Sequence, residues 1–283
     1  MERALTDFSA GHVIQPLRRI IPVPQHNGRM GSMPAVYGDV LGAKLVNVFP
    51  DNRSRDLPTH QALIVLFRAD TGEPLAVLDG RLITELRTAA VSAVATRLLS
   101  PPQASSLAIF GSGVQARAHF RALSLVRNFT DVRIWSRTPE NAQALAEEIG
   151  GRATTAEEAA RGADVVVTVT NSAEPILRGK WLKKGALVNA VGAVGALRRE
   201  VDTETMRGAV IVDSREAAMA ESGDVLLANA QIHAELGELL SGMEPMPQAE
   251  ISVFKSLGLA VEDLAAAKLV LDIVHSSRSR MVH

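Results

Sequence analysis

Residues 104–138 read ASSLAIFGSGVQARAHFRALSLVRNFTDVRIWSRT, and this stretch decides the fold. An apolar run leads into the pattern G-x-G-x-x-A at Gly111, Gly113 and Ala116, and a helical stretch follows it. A second apolar run, Val132–Trp135, comes next. Glycines at these positions let the backbone turn tightly and approach a pyrophosphate, whose negative charge the start of the helix receives. The order of strand, glycine turn, helix and strand predicts a dinucleotide-binding unit, the alternative being a tight turn in another kind of α/β domain.

The end of the second strand indicates which dinucleotide binds. A site that prefers NAD usually has Asp or Glu there, to hydrogen-bond the ribose 2′-hydroxyl. This chain has Ser136, Arg137 and Thr138 instead. Arg137 can pair with a 2′-phosphate, and the two hydroxyls can donate to it. The sequence therefore favours NADPH, with NADH as the weaker cofactor; the alternative for Arg137 is a solvated cation in a loop.

The overall composition has no strong charge bias. Of 283 residues, 47% are hydrophobic, which suits one large or two modest domains. Lys and Arg number 30 against 31 Asp and Glu, and aromatic residues make up 4%. These values argue against nucleic-acid and membrane partners. There is no cysteine, no apolar signal core and no apolar run near the ~20 residues that cross a bilayer. We expect a soluble cytoplasmic protein.

Turn signals and apolar runs divide the rest of the chain. Residues 12–80 carry short apolar or alternating runs, typical of strands. Residues 84–99 are predicted to be helical, with Thr84 as the N-cap and Pro101-Pro102 ending the helix at a domain boundary. After the glycine turn, strands alternate with helical stretches, which indicates a doubly wound parallel sheet. A long amphipathic helix is predicted over 253–276, packing against the first part of the chain.

Eight segments resemble the ornithine cyclodeaminase/mu-crystallin family, in the family's order and over nearly the whole chain. The most specific are RTAAVSA (87–93), GSGVQA (111–116) and SGDVLL (222–227). The others include QPLRR (15–19), GAKLV (42–46), LPTHQALIVLF (57–67), VRIWSRTPENA (132–142) and VFKSLGLAVED (253–263). Within the family, the sequences of these segments are most similar to those of mu-crystallin-type ketimine reductases.

This resemblance implies an α/β protein with a Rossmann-type doubly wound parallel sheet and an N-terminal α/β domain that binds substrate and dimerises. We place the N-terminal domain at 1–103, completed by the C-terminal helix within 253–283, and the NADP-binding domain at 104–252. Because family members begin with a further strand and helix before the QPxR segment, part of the edge of the substrate domain is expected to be missing. The expected assembly is a homodimer.

The chemistry that the resemblance implies is hydride transfer between a nicotinamide and an imine or amine carbon beside a carboxylate. The reductases convert cyclic ketimines such as Δ1-piperideine-2-carboxylate and Δ1-pyrroline-2-carboxylate into pipecolate and proline. The small-molecule partner is therefore expected to be a cyclic imino acid. Alternatives are an ornithine cyclodeaminase, an alanine dehydrogenase-like enzyme or, in another class, an NADPH-dependent protein that binds a small ligand such as thyroid hormone.

Three cations are the candidate substrate residues. Arg87 lies in the predicted first turn of a helix, where a cation opposes the helix dipole at a cost of about 0.3–1 kcal/mol unless an anion binds beside it. The resemblance implies that Arg87 binds the substrate carboxylate, with Arg18 as a second such arginine and Arg19 as a surface residue. Lys44 lies in an otherwise apolar strand segment. The resemblance implies that Lys44 contacts the substrate and assists proton transfer at the imine nitrogen, which makes Lys44 and Arg87 the catalytic pair. The alternatives are an outward-facing lysine and a surface arginine.

The predicted cofactor site draws on several loops. The resemblance places Thr59 and His60 near the nicotinamide and Ser256 against the cofactor, and it leaves Asp224 either organising the site or capping a helix. The residues predicted to contact the cofactor are Thr59, His60, Gly111, Ser112, Gly113, Val114, Gln115, Ser136, Arg137, Thr138, Asn141, Thr170, Val191 and Ser256. No metal site is expected, because the histidines are scattered.

One loop departs from the family pattern. Residues 192–202 read GAVGALRREVD, with no carboxylate before Glu200. Ornithine cyclodeaminases carry an aspartate near the start of this loop, as the proposed base or amine-orienting acid. Its absence argues against cyclodeaminase activity. Together, Lys44, Arg87 and Arg18 favour an enzyme over a binding protein.

Overall fold

The computed structural model describes residues 1–281 and contains two compact units. Unit 1 comprises Met1, Arg3–Arg87 and the chain from Leu259 onward, and unit 2 comprises Glu2 and Thr88–Gly258. The division falls inside a helix, between Arg87 and Thr88, rather than after residue 103. The roles assigned to the two domains stay predictions.

Strands predominate in the first part of the chain, and strands and helices are mixed in the second part. Up to residue 99 they are α1 (Glu2–Ser9), β1 (Val13–Ile14), β2 (Arg19–Val23), β3 (Gly28–Tyr37), β4 (Val40–Val48), β5 (His60–Arg68), β6 (Pro74–Asp79) and α2 (Gly80–Leu99). The later elements are β7 (Ser106–Phe110), α3 (Val114–Ser124), β8 (Asp131–Trp135), α4 (Pro139–Ile149), β9 (Arg152–Ala153), α5 (Ala156–Ala160), β10 (Val165–Thr168), β11 (Ala186–Ala190), β12 (Ala209–Val212), α6 (Arg215–Glu221), α7 (Gly223–Ala228), β13 (Ile232–Glu235), α8 (Leu236–Ser241), β14 (Ile251–Lys255) and α9 (Ala260–Met281).

Unit 1 is built on a six-stranded antiparallel sheet. The predicted β-rich character of residues 12–80 is confirmed. Strand β3 is the one whose sequence looks least like a strand. Its sequence contains Gly28, Gly31 and Pro34, which are usually turn residues or strand breakers. Pro34 is tolerated because β2 pairs with β3 only up to Ser32 and β1 begins its pairing at Val36, so this edge needs no N–H from residue 34.

Helix α9 covers one face of this sheet. Ala260, Leu264 and Ala267 pack in one core cluster with strand residues such as Ile64 and Leu66. Because side chains alternate along a strand, every second residue of β4 and β5 faces the helix and the others face away. The predicted packing of the C-terminal helix against the first part of the chain is confirmed.

Helix α2 begins earlier than predicted. It starts at Gly80, and the side chain of Asp79 accepts a hydrogen bond from the backbone N–H of Arg81 at 2.8 Å, as an N-cap does. Thr84 therefore lies inside the helix, and its predicted capping role is wrong. The end of the helix at Leu99, before Pro101-Pro102, agrees with the prediction.

Unit 2 contains an eight-stranded parallel sheet with the order β13-β12-β14-β11-β10-β7-β8-β9. Successive residues of β7 pack into different cores, Leu107 and Ile109 in one and Ala108 and Phe110 in the other. The chain moves from β7 to β8 in one direction and then to β10 in the other. Ligands of doubly wound sheets bind at the carboxyl ends of the strands where this reversal occurs. The predicted fold class is confirmed.

One strand occupies a stretch that was predicted as helix. Residues 253–255 belong to β14, which lies in the sheet between β11 and β12, and the helix begins only at Ala260. A short apolar run of this kind fits a buried strand and a buried helix equally well by its period. Among residues 1–281, no helix combines the length and apolar character needed to cross a membrane.

Candidate functional site

The glycine turn of unit 2 has the geometry of a phosphate cradle. Gly111 has φ of 125°, and a Cβ there would lie 2.9 Å from the carbonyl oxygen of Val169, so only glycine fits. Gly113 is the N-cap of α3, and a Cβ built on it would have nothing within 4 Å. Open space therefore lies beside the first N–H groups of an 11-residue helix. The residues present fit the pyrophosphate of a dinucleotide.

The end of β8 is tied to this turn by hydroxyl groups. Ser112 Oγ donates to Ser136 Oγ at 3.0 Å, and the backbone N–H of Thr138 donates to the same oxygen at 3.4 Å. Arg137 is exposed and forms no ion pair with any residue of the described chain. A polar, cationic surface therefore lies where an NAD-preferring site would carry an acid.

The remaining predicted cofactor residues fall into two groups. In unit 2, Asn141 is exposed near the start of α4, while Thr170, Val191 and Ser256 each follow the carboxyl end of a parallel strand. The structure thus brings these three residues to the edge where Gly111 lies. The Ser256 hydroxyl is buried and donates to Asp213 Oδ2 at 3.2 Å.

Two further predicted cofactor residues, Thr59 and His60, belong to unit 1. Thr59 Oγ1 and His60 Nδ1 share a hydrogen bond of 3.1 Å. Their contact with the cofactor stays a prediction.

Unit 1 contains a buried cluster of four charged groups from three elements. Lys44 Nζ of β4 lies 2.5 Å from Asp263 Oδ2 of α9. On α2, Arg87 Nε lies 2.8 Å from Asp263 Oδ1, and Arg87 Nη1 lies 2.6 Å from Glu262 Oε2. Lys44 and Arg87 are 2% and 6% exposed, and both acids are fully buried. We call Lys44, Arg87, Glu262 and Asp263 the charge cluster.

The environment of Arg87 differs from the predicted one. Helix α2 starts at Gly80, so Arg87 lies in the helix interior and does not face the dipole of a first turn. Arg87 is not a surface cation either, since it is held by two carboxylates. A buried pair of cations needs nearby anions because an unpaired buried charge costs several kcal/mol.

Glu262 and Asp263 are functional candidates that the sequence reasoning missed. They lie in the first turn of α9, between the buried apolar residues Val261 and Leu264. An acid in an apolar stretch is the same signal that marked Lys44. Their partners could not be read from the sequence, because Arg87 and Asp263 are 176 residues apart.

The charges of the cluster tune the proton affinity of Lys44. Burial, and then the positive charge of Arg87, lower the pKa of Lys44 from 10.5 to about 8, against the opposing effect of Asp263. For Arg87, burial favours the neutral form, but Asp263 and Glu262 outweigh it and raise the pKa. Lys44 is therefore mostly protonated at neutral pH and can release a proton far more easily than an ordinary lysine.

The QPLRR segment is attached to the start of α9. The side-chain oxygen of Gln15 accepts a hydrogen bond of 2.8 Å from the backbone N–H of Val261. Arg18 is half-buried, and its positive charge contributes to the lowered pKa of Lys44, so it lies near the charge cluster. Arg19 is exposed, as predicted. The three predicted substrate residues thus belong to one region of unit 1.

A second buried network holds the loop after β11 in unit 2. Glu200 accepts hydrogen bonds from Thr168 Oγ1 at 2.9 Å and from the N–H and Oγ1 of Thr170 at 2.6 and 2.7 Å. It also accepts from the N–H groups of Gly192 and Ala193 at 2.7 and 3.1 Å. Burial raises the pKa of this carboxyl. Glu200 is thus an anchor for the ends of β10 and β11.

Asp224 connects this anchor to β14. Its Oδ1 accepts from the N–H groups of Glu200 and Val201 at 2.8 and 3.1 Å, and its Oδ2 lies 3.0 Å from Lys255 Nζ. The same ammonium donates to the carbonyl oxygen of Ala193 at 2.7 Å. Asp224 therefore organises the loop.

The cap of α7 is a different residue, Ser222, which lies two positions before Asp224. Its side chain accepts a hydrogen bond from the N–H of Val225.

Comparisons with known proteins identify the family. The sequence model of the ornithine cyclodeaminase/mu-crystallin family matches residues 1–278 of this chain. The chain belongs to this family. The prediction made from its motifs is confirmed.

In the described part of the chain, no group of three or more His, Asp or Glu side chains could hold a metal ion.

Relatives in the family have related activities. Ketimine reductase mu-crystallin of Mus musculus is 50% identical over 281 residues, which are 96% of this chain and 90% of that protein. The Δ1-pyrroline-2-carboxylate reductase of Thermococcus litoralis, solved with NADH and L-proline, is 35% identical with a TM-score of 0.92, covering 97% of this chain and 92% of its own. An archaeal alanine dehydrogenase dimer with bound NAD is 30% identical with a TM-score of 0.93, covering 98% and 90%.

Proposed function

We propose that this protein is an NADPH-dependent reductase of cyclic ketimine carboxylates, such as Δ1-piperideine-2-carboxylate and Δ1-pyrroline-2-carboxylate, with pipecolate and proline as products. The observation that carries the proposal is the charge cluster, which presents a lysine of lowered pKa beside a buried arginine. The relatives named ketimine reductase and pyrroline-2-carboxylate reductase support this class of oxidoreductase, which acts on C=N bonds with a nicotinamide cofactor.

In the proposed mechanism Arg87 and Arg18 bind the substrate carboxylate. A guanidinium offers several N–H donors in a fixed plane, so it can orient a planar carboxylate as well as neutralise it. Glu262 and Asp263 fix the plane of the Arg87 guanidinium before the substrate arrives. Correct orientation of the carboxylate in turn fixes the neighbouring imine carbon.

Lys44 supplies the proton. A bound nicotinamide would supply the hydride, with its electron pair, to the imine carbon. The electron pair of the C=N bond then goes to nitrogen, and the Lys44 ammonium protonates that nitrogen and becomes a neutral amine. Such general acid assistance typically accelerates a reaction about 10²–10⁴-fold, and it is most effective when the pKa lies near the working pH. The lowered pKa of Lys44 suits this role.

The preference for NADPH rests on the end of β8. Arg137 is exposed beside the Ser136 hydroxyl and the Thr138 N–H, a set of groups that suits a 2′-phosphate. The solved relatives contain NADH and NAD, so the preference is proposed from this chain's own residues.

The proposed assembly is a homodimer through the sheet face of unit 1 that points away from α9. Its exposed side chains include Ile14 at 72%, Leu63 at 51% and Val77 at 71% exposure. A sheet face this apolar is typical of an interface. The archaeal alanine dehydrogenase relative is a dimer. A cytoplasmic location stays a prediction from the sequence.

Ornithine cyclisation is disfavoured by the loop after β11. Glu200 is the first carboxylate of this loop, and it is buried and accepts five hydrogen bonds from the ends of β10 and β11. Its oxygens are therefore already occupied by three backbone N–H groups and two threonine hydroxyls, and they are not available to orient an amine. An alanine dehydrogenase-like activity is the second candidate, because the archaeal relative shares the fold at 30% identity.

The deciding experiment is a substrate panel. The purified protein is mixed with NADPH or NADH and with five- or six-membered cyclic ketimine carboxylates, pyruvate with ammonia, or ornithine with the oxidised cofactors. The change in absorbance of the reduced nicotinamide gives kcat/KM for the ketimines and for pyruvate with ammonia. Ornithine cyclisation regenerates its cofactor, because the oxidation of ornithine is followed by reduction of the ring, so the formation of proline and ammonia gives kcat/KM for ornithine. We expect the highest value for a cyclic ketimine with NADPH. A higher value for pyruvate with ammonia, or for ornithine, would contradict the proposal.

A further inference from the structure

Asp263 contacts both candidate catalytic cations of the charge cluster. Its two carboxylate oxygens are divided between them, with Oδ2 at 2.5 Å from Lys44 Nζ and Oδ1 at 2.8 Å from Arg87 Nε. Its side chain is fully buried, so bulk water does not compete for either contact. The contact with Arg87 is a charge-assisted hydrogen bond, which fixes direction and distance, and the contact with Lys44 is a close ion pair, which fixes the distance between the charges.

We propose that Asp263 is a positioning residue for Lys44, whose ammonium it holds in place and keeps protonated until the proton is delivered to the substrate nitrogen. This inference rests on the proposed function, in which Lys44 is the acid. It assigns to the first turn of α9 a part in the reaction beyond covering the sheet.

The surroundings of Lys44 show why one carboxylate matters so much. Burial, Arg87 on α2 and Arg18 before β2 all favour the neutral amine. Asp263 on α9 acts in the opposite direction, through its negative charge in close contact with the ammonium. Without that charge, the remaining influences would release the proton at a pH well below the present value.

Glu262 offers a matched comparison on the same helix turn. Like Asp263 it is fully buried and carries one negative charge, but its ion pair is with Arg87 Nη1, at 2.6 Å from its Oε2. Loss of either acid removes the same charge from the cluster. Only the loss of Asp263 removes the group in contact with the Lys44 ammonium, so the two variants separate a local effect on Lys44 from a general effect of charge.

The first readout is the pH dependence of kcat. In the wild type, kcat should fall as pH rises through the pKa of Lys44, because the acid form is needed. In Asp263→Asn this fall should move to lower pH by about 1–3 units, as loss of an adjacent opposite charge produces. The activity lost at pH 8 should then return in part at pH 6, which a merely damaged fold would not allow. Glu262→Gln should mainly raise KM, because Glu262 contacts Arg87. It should shift the pH at which kcat declines by less than Asp263→Asn does.

The second readout needs no turnover. Protein labelled with ¹⁵N-lysine is titrated by NMR without substrate, and the Lys44 resonance is identified by its loss in Lys44→Met. The Lys44 pKa should be lower in Asp263→Asn than in the wild type, and closer to wild type in Glu262→Gln. An unchanged pKa in Asp263→Asn, or an equal change in both variants, would overturn the inference.

A third variant covers the case in which Asp263→Asn does not fold. Asp263→Glu keeps the negative charge but extends the side chain by one methylene. Because the charge is kept, kcat should decline at the same pH as in the wild type, and because the ammonium is displaced, kcat should be lower. Wild-type kcat in Asp263→Glu would contradict a positioning role. The two proposals fail separately: if Lys44→Met keeps wild-type kcat, Lys44 is not the acid, whereas the NMR titration alone decides what Asp263 does to Lys44.

Discussion

His119 should make unit 2 sensitive to acid. This side chain on α3 is fully buried, with Nδ1 2.8 Å from the carbonyl oxygen of Gln115 and Nε2 3.0 Å from Ser92 Oγ. Burial disfavours the charged ring, and in the neutral tautomer that fits these contacts Nδ1–H donates to the carbonyl while Nε2 accepts from the serine hydroxyl. Burial lowers the pKa of His119 from 6.5 to about 4.

The sign and size of the effect follow from proton linkage. Between pH 6.5 and pH 4 the unfolded chain binds a proton that the folded protein does not, so stability is complete above pH 6.5 and is lost as pH falls. Each unit of pKa difference is worth about 1.4 kcal/mol, so the whole loss is about 3 kcal/mol. About 2 kcal/mol of it should be lost between pH 7 and pH 5.

The assay is urea unfolding followed by tryptophan fluorescence. The chain has two tryptophans, Trp135 and Trp181, and both lie in unit 2 with His119. The control is His119→Asn, which keeps a donor and an acceptor but does not titrate. The difference in unfolding free energy between wild type and variant should change by about 2 kcal/mol from pH 7 to pH 5. A difference that stays constant over this range would refute the reasoning.

Three further predictions concern the cofactor, the substrate and the assembly. Arg137→Asp should weaken NADPH binding far more than NADH binding, as measured by fluorescence titration; equal weakening would remove the argument for NADPH. Arg87→Met should mainly raise KM for a cyclic ketimine, with a smaller loss of kcat from misorientation, and an unchanged KM in steady-state kinetics would exclude Arg87 from carboxylate binding. Leu63→Asp should turn a dimer into a monomer at micromolar concentration in sedimentation, because it buries a charge in the proposed interface; a wild-type protein that sediments as a monomer would contradict the dimer.

The parts of the fold that the sequence predicts are those with local causes. The glycine turn at 111–116 needs residues without side chains where the backbone turns and where a ligand approaches, so its spacing is visible in the sequence. The proline pair at 101–102 stops α2 for an equally local reason. Lys44 is conspicuous because it interrupts an apolar strand, and the structure places it in a buried cluster.

The parts that escape prediction depend on distant partners. Strand β3 contains Pro34, and only the arrangement of β1 and β2 along its edge shows why the proline is tolerated. Residues 251–255 form a strand because β11 and β12 offer pairing on both sides. The start of α2 at Gly80 is hidden because glycine is a poor helix former, although Asp79 supplies the cap.

The candidate site shows the same division. Each cation of the charge cluster was identifiable by its own context or by the family motifs. Their counter-ions were not, because Glu262 and Asp263 come from the other end of the chain. Arg87 is a further case, because its anions are supplied by α9, whereas the sequence around Arg87 shows only a predicted helix.

Whether Lys44 is the proton donor is tested by measuring kcat of Lys44→Met with cyclic ketimine carboxylates and NADPH. Methionine has nearly the length of lysine and keeps the strand position filled, but it has no proton to give. We expect kcat to fall about 10²–10⁴-fold while the dissociation constant of NADPH stays close to wild type. If Lys44→Met retains near wild-type kcat on both ring sizes, Lys44 is a structural residue of β4 and the proposed mechanism is wrong.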